Sequence, residues 1–79
     1  MNTFERLLKV CDAVFEGEID TSSVTLNSSL HDDIGINSIG LLYMAMALEE
    51  EFEIKFVNED FEGLSTVKDV IAIIEKKAN

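Results

Sequence analysis

The stretch Asp33-Ile34-Gly35-Ile36-Asn37-Ser38-Ile39-Gly40-Leu41-Leu42-Tyr43-Met44-Ala45-Met46-Ala47-Leu48-Glu49-Glu50-Glu51-Phe52 decides how this chain is read. From Leu41 to Leu48 it holds no charge, and its one polar side-chain atom is the Tyr43 hydroxyl. At about 100° per residue the apolar positions separate into two stripes of one helix. Leu41, Met44, Ala45, Leu48 and Phe52 share one side, and Ile39, Leu42 and Met46 share the other. Phe52 and Leu48 mark the first as the core side. The second would then display a serine, three apolar residues and the carboxylates of Glu49 and Glu50. An exposed apolar stripe edged by charge is a docking surface, unless the long loop covers it. Met46 suits a surface that adapts to several partners.

Outward from this helix, the rest of the chain also reads as helical. Before it, residues 18 to 37 form a long connection rich in Ser, Thr, Asp and Asn. Ile19, Val24, Leu26, Leu30, Ile34 and Ile36 punctuate it and are expected to pin it to the core. Connections of this length are often functional. The first helix starts near Asn2, with Glu5 at capping-box spacing. Phe4, Leu7, Leu8, Cys11, Val14 and Phe15 make its buried stripe, and Gly17 is the expected stop. After the second helix come a short third segment, about Asn58 to Phe61, and a final helix, about Thr66 to Lys77. Ser65 or Thr66 caps that last helix; Asp69 in its first turn and Lys76 and Lys77 in its last suit the helix dipole. Val67, Val70, Ile71 and Ile74 give its stripe. Phe52 to Val57 alternates weakly but has no pairing partner, so no strand is expected. The predicted fold is all-α: a small four-helix bundle of three main helices and a short third helix, in one domain covering residues 1–79, with a long loop between helices one and two.

Composition narrows the function. A chain of 79 residues buries only about 60% of its unfolded surface, which leaves little room for a deep catalytic cleft. Its 16 acidic and 6 basic residues, net charge −10, oppose phosphate-backbone binding and favour partners with basic surfaces. No apolar run reaches the roughly 18 residues that span a bilayer. The N-terminus lacks a signal-peptide pattern, so a cytoplasmic location and no membrane insertion are expected. Cys11, the single cysteine, falls inside the first helix's stripe and is read as core. No metal site is expected: Asp32 to Asn37 lacks the ligand spacing of a calcium loop.

Ser38 is the chemical focus. As a nucleophile it would need a base, and the one histidine is His31, read as an exposed loop residue. Gly35 to Gly40 imitates a nucleophile elbow with its first glycine one residue too early and no strand before it. No catalytic residue is therefore assigned. Ser38 could serve as an N-cap. A helix N-terminus also suits an attached phosphate, because its free N–H groups and positive dipole end favour the anion.

Asp33-Ile34-Gly35-Ile36-Asn37-Ser38-Ile39, followed by Met44-Ala45-Met46-Ala47-Leu48-Glu49-Glu50-Glu51-Phe52, resembles the acyl carrier proteins over nearly the whole chain. The resemblance implies that Ser38 accepts a 4′-phosphopantetheine arm from coenzyme A through a dedicated, magnesium-using phosphopantetheinyl transferase. The arm's thiol would hold acyl groups as thioesters for fatty-acid, polyketide or related biosynthesis. Ile39, Leu42, Met46, Glu49 and Glu50 would face acyl-transferring and condensing enzymes with basic docking surfaces, the carrier itself being a monomer. Asn37 replaces the family's usual aspartate, and Gly40 and Tyr43 stand where fatty-acid carriers place acids. Those departures imply a specialised carrier. The alternatives are a peptidyl or aminoacyl (for example D-alanyl) carrier, or an unmodified helical adaptor docking through the second helix.

Overall fold

The computed structural model describes residues 1–78. Among them the helices are α1 (Thr3–Val14), α2 (Ser38–Phe52) and α3 (Val67–Ala78), with 3-10 turns at Thr21–Ser23 and Asn58–Phe61. The expected all-α architecture is found, the short third segment being a single 3-10 turn. The long loop between α1 and α2 is also present.

Local chemistry explains each helix start. The Asn2 side chain accepts the Glu5 N–H at 2.8 Å and Glu5 reaches back to the Asn2 N–H at 3.2 Å, completing the capping box. Thr66 and Asp69 do the same for α3. The Asp69 carboxylate accepts the N–H groups of Ser65 and Thr66, both at 3.0 Å, and the Thr66 hydroxyl accepts that of Asp69. α1 ends three residues short of the predicted glycine. Glu16 and Gly17 both adopt left-handed backbone there, and the Gly17 N–H closes onto the Asp12 carbonyl at 2.9 Å.

The core is one cluster with contributions from all three helices and the loop. Leu7, Val10 and Cys11 come from α1, Met44 and Leu48 from α2, and Val67, Val70 and Ile74 from α3. Val10 lies outside the predicted α1 stripe, whose Phe4, Leu8, Val14 and Phe15 are only partly buried. Leu30 and Ile36 of the loop are buried as predicted, and Ile19, Val24 and Ile34 pack against the core. Leu26 is a correction: its side chain is exposed, and its carbonyl does the anchoring by accepting the Lys68 N–H at 2.9 Å.

Backbone pairing stitches the loop to the entrance of α3. Leu30 N–H donates to the Ser65 carbonyl at 2.8 Å, Val67 N–H donates to the Ser28 carbonyl at 3.1 Å, and Ser29 and Thr66 form an isolated antiparallel bridge. Phe52 to Val57 forms no strand. Among the described residues two ion pairs join the elements. Arg6 of α1 meets Glu51 of α2 at 2.9 Å and lies over the Phe52 ring, and Lys77 meets Asp60 at 2.9 Å.

Candidate functional site

The segment before α2 is a tight, self-bonded loop that delivers Ser38 to the surface. Ile34 N–H bonds the Ser29 carbonyl at 3.0 Å, and the Asp33 carboxylate accepts the Ser29 N–H at 2.6 Å. Gly35 takes a φ of +84°, a left-handed turn that glycine adopts without strain. Ile36 then drops into the core, its N–H bonded to the Leu30 carbonyl at 2.8 Å.

The helix cap is Asn37, not Ser38. Asn37 Oδ1 accepts the Gly40 N–H at 2.7 Å, and its carbonyl starts the helical ladder by accepting the Leu41 N–H at 2.9 Å. Ser38 is thus the first helical residue, exposed, with a hydroxyl that makes no hydrogen bond among the described residues. The N–H groups of Ser38 and Ile39 precede that ladder and form part of the positive end of the helix dipole. An exposed hydroxyl beside such donors fits a phosphodiester: the oxygen is free to be substituted and the added anion meets compensating dipoles.

The helical spacing separated the faces of α2 correctly. Met44, Ala45 and Leu48 are buried, with Leu41 and Phe52 partly so. Ile39, Leu42 and Met46 are 65%, 56% and 63% exposed. Tyr43, not assigned to this face from the sequence, is 61% exposed beside them. Its position four residues after Ile39 is the signal that could have found it. The two predicted carboxylates differ. Glu50 is exposed, whereas Glu49 is half-buried and its Oε2 accepts the Phe56 N–H at 2.7 Å, tying the end of α2 to the next segment.

His31 is exposed in the loop, with Nδ1 3.3 Å from the Ile36 carbonyl oxygen, and it lines the same open cleft of about 330 Å³ as Ser38. On the core side of α2, a seam between Leu41, Ala45 and Leu48 and the facing Phe56, Phe61 and Leu64 encloses only about 10 Å³.

A small helical body that displays an exposed serine at the lip of a helix, beside an apolar face, has the form of a carrier domain. A family model described as "Phosphopantetheine attachment site" matches residues 5–74. The chain is 40% identical over 70 residues to the acyl carrier protein of Bdellovibrio bacteriovorus, covering 87% of this chain and 90% of that one. It is 37% identical over 78 residues to the acyl carrier protein of Prochlorococcus marinus, covering 98% of each. It is also 42% identical over 59 residues to that of Thermotoga maritima, covering 75% of this chain and 73% of the relative. The chain belongs to the acyl carrier protein family, whose members are carriers rather than enzymes and bear a covalently attached 4′-phosphopantetheine.

Proposed function

We propose that Ser38 is the residue that bears the 4′-phosphopantetheine arm and that the arm carries acyl groups between enzymes of fatty-acid, polyketide or related biosynthesis in the cytoplasm. The observation that carries this reading is the exposed, unengaged Ser38 hydroxyl at the first position of α2, within the matched residues. In the loading step Ser38 Oγ displaces adenosine 3′,5′-bisphosphate from coenzyme A. A P–O bond forms to serine, one to the nucleotide breaks, and the hydroxyl proton leaves to a base on the transferase. The chain is thus the transferase's substrate and a catalyst of nothing by itself.

Ile39, Leu42 and Met46 form the contact surface for partner enzymes, with Glu50 and the edge of Glu49 offering carboxylates to basic groups. The seam behind Leu41 and Leu48 leaves room for about one water molecule. An acyl chain sheltering there must therefore part α2 from residues 56–64.

Incubation with coenzyme A, magnesium and a broad-specificity phosphopantetheinyl transferase, followed by intact-mass measurement, tests the assignment. Wild type gains one pantetheinyl group and Ser38→Ala gains none. Absence of the adduct on wild type, or equal labelling of the variant, defeats it.

A further inference from the structure

We infer that His31 is a positioning residue for the arm: when protonated, its imidazolium holds the phosphate borne by Ser38 in the cleft between the 29–32 loop and the start of α2. This rests on Ser38 being the attachment residue.

His31 and Ser38 line one cleft. The ring's orientation follows from its partner. A carbonyl oxygen only accepts, so the contact of 3.3 Å between Nδ1 and the Ile36 oxygen places the proton on Nδ1. Nε2 is left as the uncommitted nitrogen, an acceptor in the neutral ring and a donor in the charged one. Ile36 stands two residues before Ser38, and its own N–H is bonded back to Leu30 at 2.8 Å. The histidine is thereby tethered to the segment of backbone that presents the serine.

The charges around the cleft leave this role to His31. α2 contributes no charged side chain from Ser38 to Leu48, and the far wall contributes Leu64 and Ser65. Asp32 is the other titratable side chain lining the cleft, and its carboxylate repels a phosphate. His31 is the one lining side chain that can present a positive charge. A phosphodiester stays singly anionic across neutral pH, and imidazole is a side-chain type that can exist charged or neutral there. The root of the arm is therefore held against the cleft when the ring is charged and swings more freely when it is neutral.

The test uses holo protein made with the transferase, loading confirmed by mass, as wild type, H31Q and D32N. Glutamine keeps a neutral N–H donor for the Ile36 carbonyl while removing the titratable charge. The ³¹P resonance of the arm is followed between about pH 5.5 and pH 8, a range in which imidazole titrates and the diester itself does not. The expected result is a pH-dependent shift in wild type and D32N that is lost in H31Q. In wild type the single histidine's ring proton signals change on loading at acid pH. A resonance that stays flat in wild type, or moves equally in H31Q, overturns the inference while leaving the attachment at Ser38 intact. So does a shift lost in D32N alone. Failure to load wild type removes the Ser38 assignment and this inference with it.

Discussion

Asn37 Oδ1 accepts the backbone N–H of Gly40 at 2.7 Å, so the residue beside Ser38, and not Ser38 itself, caps the start of α2. The division of labour is physical. A serine serving as cap would have its oxygen occupied by an N–H, and substitution of that oxygen would break the cap.

Removing this cap should destabilise the protein without touching the Ser38 hydroxyl. Asn37→Ala should lower the unfolding free energy by about 1 kcal/mol, whereas Asn37→Asp keeps the acceptor and adds a favourable charge at the helix start. Urea denaturation of the apo forms checks both. Equal stability of wild type and Asn37→Ala would show that the cap is dispensable.

The two faces of α2 should respond oppositely to truncation. Leu42→Ala removes an exposed side chain and should change stability by no more than ~0.5 kcal/mol, while its loading rate falls about tenfold if it is an anchor of the transferase contact. Leu48→Ala empties a core position and should be destabilised by roughly 2–5 kcal/mol. Denaturation and initial loading rates, measured in parallel, separate the two effects.

Asp69 gives a pH dependence with a definite sign. Hydrogen bonds from the Thr66 backbone first, and from Ser65 next, hold its carboxyl below the ordinary value of 3.8. A depressed folded-state pKa means that its contribution is present above 3.8 and is lost as pH falls through the lower, folded value. Asp69→Asn should therefore be less stable than wild type at neutral pH, and the deficit should narrow in acid. Comparing the pair cancels the relief of repulsion that protonation brings to a chain of net charge −10. A deficit independent of pH would contradict the assignment.

Cys11 should be inert in the folded protein. Its side chain is buried in the core, and burial first, with the nearby Asp12 charge, pushes its thiol up to about 11. The thiolate fraction at neutral pH is then far below that of an ordinary cysteine. Iodoacetamide should label the native protein slowly and the urea-unfolded protein readily, as read by mass. Equal rates would mean that the α1 stripe is open to solvent.

The sequence by itself determined what depends on neighbours a few residues apart. Periods near 3.6 mark α1, α2 and α3 and separate Met44 and Leu48 from Ile39, Leu42 and Met46, because helical geometry turns spacing directly into direction. The capping box at Asn2–Glu5 and a cap for α3 at Ser65 or Thr66 are legible for the same reason.

Only the tertiary structure decided what depends on segments far apart in the chain. It turned Glu49 back onto Phe56, left Leu26 exposed and set His31 on the cleft of Ser38. It also accounts for Gly40, which costs the helix about 1 kcal/mol relative to alanine. A Cβ there would stand 3.2 Å from the Phe15 ring, a contact between α2 and the end of α1. Such approaches follow from how the elements pack, and no local period records them.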